Sequence, residues 1–345
     1  MDHTKQQLLI AEIEPVTPAV NRYRLVSAVP GGTPAPFLPG QYLCLYYNIN
    51  GSTVSRPYSI ASSPWEAAEG GYYDLYIHGG GSFTSSWLFA HADVGTSIQA
   101  SLPLGEFCIK PTTSRHIIGI SGGMSVTPLR SMARSVADSL SDCDMTLFCG
   151  WDRAEDLLFR EEFLRLSEQC GRLRVHFAVA QDNVLGTLHG YFTGEEICSK
   201  AETENAEFFL CGPEPMYRSL RLQLAGCRIP PERYHQELPG EIHQPPYPVK
   251  VAKCYPLTVR CGKNCRTVSA NAGETVLVAL ERAGLSPLAY CRSGTCGFCS
   301  ARLLSGEIWS DPVRSPGEDG THGDCSFHPC CAFPLSSLTV DLPER

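Results

Sequence analysis

The chain has 345 residues, of which 43% are hydrophobic, and its formal net charge is −8. This length predicts two or three domains, and the hydrophobic content is that of a globular protein with packed cores. Acidic and basic residues are interspersed without a basic stripe, which argues against nucleic acid as a partner. No run of about 20 apolar residues is present, so no membrane span is expected.

Cysteine usage and the N-terminal segment indicate the compartment. Residues 1–15 lack a basic stretch followed by an apolar one, so no secretory signal is indicated and the cytoplasm is expected. Seventeen cysteines are present, which is an odd number. A secreted disulfide framework would be shorter and export-targeted, so reduced thiols and metal ligation are favoured.

Residues 1–110 are predicted to form an antiparallel β-barrel. Short strands at 23–29, 41–47 and 72–78 are separated by Gly/Pro turns such as Pro39-Gly40. Short strands punctuated in this way are typical of all-β domains.

Residues 111–238 are predicted to form an α/β domain with a parallel sheet. Apolar runs alternate with helical stretches, and such alternation favours βαβ units. The runs are 116–121, 145–150, 174–180 and 207–212, and the helices are 127–140 and 156–169.

The third predicted domain spans residues 251–345 and follows a linker at 239–250. The linker is rich in Pro and polar residues, as interdomain segments often are. The last domain returns to short strands with one helix, within TVLVALERAG, and carries the densest group of cysteines.

That group has the spacing of a metal site. Cys291, Cys296 and Cys299 form a C-x4-C-x2-C pattern, and the adjacent Cys330 and Cys331 follow about thirty residues later. This is the plant-type ferredoxin spacing for a 2Fe–2S cluster held by four thiolates. The alternatives are a zinc site, which favours paired C-x2-C units, or incidental buried thiols.

A second cysteine group is less suggestive. Cys261 and Cys265 form a lone C-x3-C near a predicted hairpin, and only Cys254 is close in sequence. A second cluster would need more ligands, so these thiols are interpreted as structural.

Two further motifs carry groups suited to cofactors. In SRPYSIASSP, a guanidinium (Arg56) suits a pyrophosphate, while a tyrosine face (Tyr58) and a hydroxyl (Ser59) suit a flavin ring. In GGGSFTSSWLF (79–89), a glycine turn opens a predicted helix whose free N–H groups suit a phosphate.

A third motif, HIIGISGGMSVTPLRSM (116–132), has the pattern of strand, glycine turn and helix. Gly122 and Gly123 allow a tight turn and a close approach of phosphate, and Thr127-Pro128 is predicted to begin the helix. Read alone, it could be a turn without a ligand.

In order and spacing, these motifs and PLGEF (103–107) resemble the ferredoxin–NADP reductase superfamily. The resemblance extends over nearly the whole chain, because the C-terminal domain resembles a β-grasp ferredoxin. It implies an FAD domain, an NAD(P) domain and a 2Fe–2S domain. A minority branch of the superfamily uses FMN, and the SFTSSWL turn is similar to the FAD form.

The resemblance also implies site residues. For FAD these are Arg56, Pro57, Tyr58, Ser59, Gly80, Gly81, Ser82, Phe83 and Thr84. For NAD(P)H they are Gly122, Gly123, Met124, Ser125, Thr127, Pro128 and Arg153, with Cys211, Gly212, Pro213 and Met216 of a second loop, CGPEPM. Tyr58, Ser59 and Cys211 are the implied catalytic residues. Ser125 stands where the family usually has glycine.

In the cluster domain, the tail HPCCAFPLSSLTVDL resembles that of C-terminal ferredoxin domains in flavoprotein reductases. In those domains the fourth ligand lies four residues before the proline of a P-L-S step. Pro334 then indicates Cys330 as the fourth ligand, and Cys331 is its alternative.

The nicotinamide cofactor is expected to be NADH rather than NADPH. In the family, the position of Arg153 contacts the adenosine ribose or its 2′-phosphate. The neighbouring Asp152 would repel a 2′-phosphate. The alternative is that the two residues form a solvated surface pair.

The resemblance implies an NAD(P)H-dependent reductase that passes electrons through FAD and the 2Fe–2S cluster to a partner protein. An oxygenase component or another redox enzyme is the expected partner. Two alternatives stay open at this point. One is an electron-transfer subunit of a larger enzyme, as in some dihydroorotate dehydrogenases, and the other is a redox sensor built on the cysteines.

Overall fold

The computed structural model describes residues 5–49, 52–80, 83–138, 142–237, 245, 253–285, 287–310 and 325–343. The chain divides into two compact units. The first comprises residues 1–43 with 58–239, and the second comprises residues 44–57 with 240–345.

The N-terminal part is built on a six-stranded sheet in the order β4-β3-β6-β1-β2-β5. The β1–β2, β1–β6 and β2–β5 pairs are antiparallel, as the predicted all-β domain requires. The elements are β1 (Lys5–Thr17), β2 (Val20–Ser27), β3 (Tyr42–Ile49), β4 (Ser52–Ser59), α1 (Pro64–Gly70), β5 (Tyr72–His78), α2 (Phe83–His91) and β6 (Ser97–Ser101).

A second six-stranded sheet follows, with the order β10-β9-β8-β7-β11-β12. All of its pairs are parallel, which confirms the predicted α/β domain. Its elements are β7 (His116–Gly122), α3 (Thr127–Ala137), β8 (Asp144–Trp151), α4 (Arg160–Gln169), β9 (Leu173–Val179), β10 (Leu188–His189), α5 (Gly194–Lys200), β11 (Glu207–Cys211), α6 (Glu214–Gly226) and β12 (Tyr234–Glu237).

Both faces of the parallel sheet are buried, which explains why its strands are continuous apolar runs. Along β7, Ile117 packs with Leu129 of α3, and the next residue, Ile118, packs with Leu220 of α6. Successive strand residues point to opposite faces, so one helix layer covers each face.

Helix α4 begins later than the predicted 156–169. Ala154–Asp156 form a 3-10 turn, and Phe159 has a φ of 64°. A left-handed residue cannot continue a right-handed helix, so the helix starts at Arg160.

Helix α3 also carries a buried arginine that contacts the segment after β4. Arg130 is 6% exposed, and its Nη1 donates to the carbonyl oxygen of Ala61 at 2.6 Å. The same guanidinium donates to both oxygens of Glu162 at 2.8 and 2.9 Å and lies 3.3 Å from Glu66 of α1. The neighbouring Ser131 donates to the carbonyl oxygen of Ser62 at 2.7 Å.

The C-terminal part has a five-stranded sheet in the order β14-β13-β19-β15-β17 and a two-stranded ribbon. The central β13–β19 pair is parallel and the other pairs are antiparallel. The elements are β13 (Cys254–Cys261), β14 (Asn264–Asn271), α7 (Val276–Arg282), β15 (Ala301–Ser305), β16 (Ile308–Ser310), β17 (Cys325–Phe327), β18 (Ala332–Pro334) and β19 (Leu338–Leu342).

Helix α7 packs Val276, Ala279 and Leu280 into the core that Leu257 and Val340 of the sheet provide. A mixed sheet covered by one helix is the predicted α+β arrangement, and the predicted fold class is confirmed. The predicted linker at 239–250 lies outside the described residues except for position 245. No helix of the described ranges is long and apolar enough to cross a membrane.

Candidate active site and cluster site

The first predicted nicotinamide loop joins β7 to α3. Gly123 has a φ of 59° and opens a 3-10 turn through Val126. Helix α3 then begins at Thr127 with Pro128 in its first turn, as predicted. The N–H groups of a first turn have no partner within the helix, so this turn suits a phosphate.

The second predicted loop, after β11, lies against the first. A Cβ atom on Gly122 would stand 2.9 Å from Cδ of Pro213. A Cβ atom on Gly212 would stand 2.3 Å from Cε of Met216 and 3.3 Å from the backbone nitrogen of Gly122. A side chain on Gly122 would displace the second loop, and one on Gly212 would displace Met216 and crowd the backbone of the first loop, so both glycines favour this close approach.

A cavity of about 290 Å³ lies beside the two loops. Gly122, Met124, Pro213 and Met216 line it, as do Asp152 and Tyr191. Backbone groups at the carboxyl ends of parallel strands are the usual place for a dinucleotide in such a sheet. The residues present therefore fit a nicotinamide dinucleotide.

Asp152 rather than Arg153 lines the described part of this cavity. The hydroxyl of Tyr191 donates to Oδ1 of Asp152 at 2.6 Å, and this hydrogen bond raises the pKa of Tyr191. Arg153 is exposed, one residue after Asp152. The carboxylate is thus the charged group that faces the cavity at the end of β8.

Two of the predicted catalytic residues meet at a third residue that sequence reasoning missed. Oε2 of Glu237 accepts hydrogen bonds from Oγ of Ser59 and Sγ of Cys211, both at 3.3 Å. Tyr217 supports the group, since its hydroxyl accepts from the backbone N–H of Gly212 at 3.0 Å and donates to the carbonyl oxygen of Glu237.

Burial controls the ionisation of this group. It raises the pKa of Glu237 to about 7, and the hydrogen bonds from Cys211 and Ser59 oppose that rise. The pKa of Cys211 lies well above its ordinary value because of burial first and the Glu237 carboxylate second, and a hydrogen bond with Ser125 opposes both. Cys211 is therefore a neutral thiol at neutral pH, whereas Glu237 can hold or release a proton.

No sequence motif marks Glu237. Only its position could have indicated it, because Glu237 is the last residue of β12 and β12 lies beside β11 in the parallel sheet. The carboxyl ends of such strands carry the ligand-binding residues of open α/β sheets.

The predicted flavin residues are placed in part. Arg56 and Pro57 belong to the second unit, and Tyr58 and Ser59 to the first. Gly80 precedes α2, and Thr84 is fully buried in the first turn of that helix.

The predicted contacts of Gly81, Ser82 and Phe83 with FAD remain predictions. Gly81 and Ser82 lie outside the described residues, and Phe83 begins α2. The guanidinium, ring and hydroxyl groups on β4, with a helix N-terminus beyond β5, are the donors that FAD binding requires. They fit FAD, with no geometry assigned to it.

The predicted cluster cysteines form two close pairs. Sγ of Cys299 lies 3.3 Å from Sγ of Cys330, and the thiols of Cys291 and Cys296 are hydrogen-bonded. A 2Fe–2S cluster has two irons and four thiolates, so two pairs match two thiolates for each iron. Within the described ranges, no three His, Cys, Asp or Glu side chains form a group for a single metal ion.

Backbone amides of the loop point at the first cysteine of the cluster. The N–H groups of Ser293 and Cys296 donate to Sγ of Cys291 at 3.4 and 3.3 Å. Gly294 and Gly297, with φ values of 79° and 73°, let the chain turn back in this way. The hydrogen bond with Cys296 lowers the pKa of Cys291 below its ordinary value, burial opposes this, and hydrogen bonds with Ser293 add to the lowering. A stabilised thiolate is the form that binds iron.

Cys331 makes a different contact from Cys330. Its Sγ donates to the carbonyl oxygen of His328 at 3.5 Å. Both cysteines are buried in a 3-10 turn that spans Pro329–Cys331.

We therefore expect the two adjacent cysteines to behave differently when each is replaced by serine. Cys330→Ser should remove most of the iron, because one thiolate of a close pair is lost, and Cys331→Ser should keep about two iron atoms per chain. Iron analysis and absorbance of the purified variants check this. The reverse pattern would identify Cys331 as the ligand.

The second cysteine group does not converge. In the β13–β14 hairpin, Cys265 pairs with Arg260 and Cys261 pairs with Asn264. Since paired residues share a face, Cys261 and Cys265 lie on opposite faces. Sγ of Cys254 donates to Oδ1 of Asn271 at 2.9 Å. The register agrees with the structural interpretation of these thiols.

Comparison with known families assigns all three parts of the chain. An oxidoreductase FAD-binding domain matches residues 8–109, an oxidoreductase NAD-binding domain matches 120–221, and a 2Fe-2S iron-sulfur cluster binding domain matches 260–335. The protein is thus an oxidoreductase that uses FAD, a nicotinamide cofactor and a 2Fe–2S cluster.

Similar proteins agree over almost the full length. The glycine betaine monooxygenase reductase subunit of Chromohalobacter salexigens is 24% identical over 324 residues, 89% of this chain and 87% of that protein. The stachydrine N-demethylase reductase subunit of Rhizobium meliloti is 26% identical over 313 residues, 88% of this chain and 87% of that protein.

Among solved structures, phthalate dioxygenase reductase matches with a TM-score of 0.74 at 23% identity, over 98% of both chains. The chain thus combines an oxidoreductase FAD-binding domain, an oxidoreductase NAD-binding domain and a 2Fe-2S domain, and it has the fold of phthalate dioxygenase reductase.

Proposed function

We propose that this chain is the reductase component of an oxygenase system and that it takes its electrons from NADH. The main support for the site where electrons enter from NADH, called the entry site below, is that Ser59 and Cys211 are both hydrogen-bonded to Glu237 at the carboxyl edge of the parallel sheet. This edge also carries the glycine loops that approach each other closely. The oxygenase partner is proposed because the glycine betaine monooxygenase relative is the reductase subunit of such an enzyme.

In this proposal each residue of the entry site has a distinct role. Gly122, Gly212 and the first turn of α3 bind the dinucleotide through backbone groups. Ser59 is the last residue of the flavin motif, and its hydroxyl donates a hydrogen bond to the carboxyl group of Glu237. Glu237, with a pKa of about 7, can hold or release a proton near neutral pH, and Cys211 fills space beside it as a neutral thiol.

The remaining cofactor residues are proposed as the motifs predict. Arg56, Tyr58 and the N-terminus of α2 hold FAD, and Cys291, Cys296, Cys299 and Cys330 hold the cluster. Bound flavin exchanges both hydride and single electrons, which is the conversion that joins a nicotinamide to an iron–sulfur cluster.

The test of this function is a reduction experiment under anaerobic conditions. NADH should bleach the absorbance of both flavin and cluster, and the protein should then reduce a one-electron acceptor such as cytochrome c. Purification with two iron atoms and one flavin per chain is expected. A protein that carries both cofactors but is not reduced by NADH would contradict the proposal.

The preference for NADH follows from charge. A 2′-phosphate next to Asp152 would place like charges together in a partly enclosed cavity, and such contacts are unfavourable. The Tyr191 hydroxyl, 2.6 Å away, fixes the carboxylate in place and suits a ribose hydroxyl as a further hydrogen-bond partner.

Replacing Asp152 with serine should therefore shift the cofactor preference. We expect kcat/KM for NADPH relative to NADH to rise about tenfold, which is ~1.4 kcal/mol. Initial rates with both cofactors measure the ratio, and Asp182→Ser, which changes a carboxylate outside the cavity lining, is the control. If the ratio of kcat/KM for NADPH to that for NADH is unchanged in Asp152→Ser protein, Asp152 does not select between the two cofactors.

Location and domain boundaries complete the proposal. The chain has seventeen cysteines, and we propose the cytoplasm because reduced thiols and thiolate ligands of a cluster persist in a reducing compartment. The boundaries 1–110, 111–238, 239–250 and 251–345 remain predictions, and the three matched family ranges lie within them. The alternative, a subunit of a larger complex, predicts copurification with a second chain.

A further inference from the structure

Residues 44–57 of strands β3 and β4 contact the segment that leads into the cluster loop, and both parts belong to the second unit. Oγ of Ser55 donates to the carbonyl oxygen of Ala289 at 2.7 Å. Sγ of Cys44 donates to the carbonyl oxygens of Ala289 and Tyr290 at 3.7 and 3.6 Å. These two carbonyls directly precede Cys291, a proposed cluster ligand. The strand with the flavin motif is thus fixed to the start of the cluster loop.

One carboxylate of the same unit lies between two arginines. Arg292, the residue after Cys291, is 1% exposed and donates from Nη1 and Nη2 to the two oxygens of Glu281 at 2.6 and 2.9 Å. Oε2 of Glu281 is also 3.9 Å from Nη1 of Arg56, the arginine of the flavin motif. Arg56, Glu281 and Arg292 together carry a net charge of +1.

This charged group is costly for the fold alone. Removing charges from water is unfavourable even when they are paired, and apolar residues of similar size often give an equally stable fold. Arg292 also has a φ of 56°, a left-handed conformation that is unfavourable for a residue other than glycine. A buried positive charge beside a cluster ligand therefore calls for a reason other than stability.

Electron transfer supplies a reason for a buried positive charge beside a cluster ligand. When the cluster accepts one electron, its negative charge increases by one unit, no bond breaks and no proton is required. A buried positive charge nearby stabilises the added negative charge, because interactions in a low-dielectric interior are strong. Charge and hydrogen bonding around a cluster set its reduction potential.

We propose that Glu281 is a positioning residue for electron transfer from flavin to cluster. It holds Arg292 beside the cluster, ties Arg292 to Arg56 of the flavin motif, and limits the group to a single net positive charge. The inference rests on the proposed function, since it takes Cys291 as a ligand and β4 as a flavin-binding strand. It adds a residue on α7, a helix that no cofactor motif includes.

The test is the midpoint potential of the cluster in the purified holoprotein, measured by titration with dithionite and mediators. Glu281→Gln leaves the shape and removes one negative charge, so the potential should rise. Arg292→Gln removes one positive charge, so the potential should fall. Each shift should change the ratio of reduced to oxidised cluster about tenfold at fixed potential, which is ~59 mV for a one-electron couple.

Two further variants make the result specific. Glu274→Gln makes the same chemical change in the ion pair with Arg282, 2.6 Å apart and partly exposed, and should leave the potential unchanged. The double variant with Glu281→Gln and Arg292→Gln keeps the net charge of +1 and should return to the wild-type potential. The double variant also removes the Arg292 guanidinium, which loses its Glu281 carboxylate in the Glu281→Gln variant. If Glu281→Gln protein does not retain the cluster, the potential of the double variant therefore tests the proposal.

Shifts of opposite sign in the single variants, with recovery in the double variant, support the inference. Equal potentials in all variants, shifts in the same direction, or an equal shift in Glu274→Gln would overturn it. Because the titration uses neither NADH nor a partner, the proposed function fails separately, through a wild-type protein that NADH does not reduce.

Discussion

Cys296→Ser protein is expected to accept hydride from NADH at the flavin and to lose its one-electron chemistry. Cys296 belongs to one of the two thiol pairs, so its loss should prevent assembly of the cluster. The groups around Glu237 belong to the other unit and remain intact. NADH should still bleach the flavin, and reduction of a two-electron dye should stay within about twofold of wild type.

With cytochrome c, by contrast, the rate of the same variant should fall by at least about 100-fold, because the cluster is the proposed exit for single electrons. Stopped-flow absorbance measures reduction of the flavin by NADH, and steady-state rates with the dye and with cytochrome c measure the transfer of electrons to each acceptor. Cys265→Ser, which changes an exposed thiol on the β13–β14 hairpin, is the control. Full cytochrome c activity without iron would show that the flavin itself is the exit.

The second large effect concerns the pH dependence of flavin reduction. The pKa of Glu237 is about 7, raised by burial, so the residue is neutral below pH 7 and negative above it. Hydride brings negative charge to the site, and a neutral acid opposes this less than a carboxylate does. The rate of flavin reduction by NADH should therefore fall about tenfold as pH rises through 7.

Glu237→Gln should remove this dependence. The amide is neutral at every pH, so flavin reduction should stay near the low-pH rate of wild type. Reoxidation of the flavin would release a proton, which the Glu237 carboxylate can accept. In Glu237→Gln protein, reoxidation of the flavin should therefore slow about 100-fold. Rapid-reaction rates between pH 6 and 8 test both statements.

Glu207→Gln serves as the matched control, because Glu207 pairs with His235 at the opposite end of β11. A wild-type rate that does not change across this range would refute the assignment to Glu237.

Local sequence was sufficient for parts of the molecule whose chemistry lies in one loop. The cluster spacing from Cys291 to Cys299 is set by the reach of a single turn, and both thiol pairs include a residue from it. The parallel sheet was predictable because strands buried on both faces must be apolar throughout.

Sequence reasoning missed what folding brings together from distant positions. Glu237 lies 178 residues from Ser59 and 26 from Cys211, and no motif connects the three. Glu281 was missed for a similar reason, since helix periodicity explains α7 as an amphipathic helix without its carboxylate. The start of α4 was missed because the left-handed conformation of Phe159 leaves no mark on composition.

The Arg130 cluster limits how the protein can be recombined with its relatives. A chimera joined at residue 110 would separate Arg130 and Glu162 from Glu66 and the Ala61 carbonyl. An incoming domain without an arginine at that position would leave the partly buried carboxylate of Glu66 and the Ala61 carbonyl without the guanidinium that both contact here. Working exchanges of cofactor specificity between such reductases therefore have to transfer α1, α3 and α4 together.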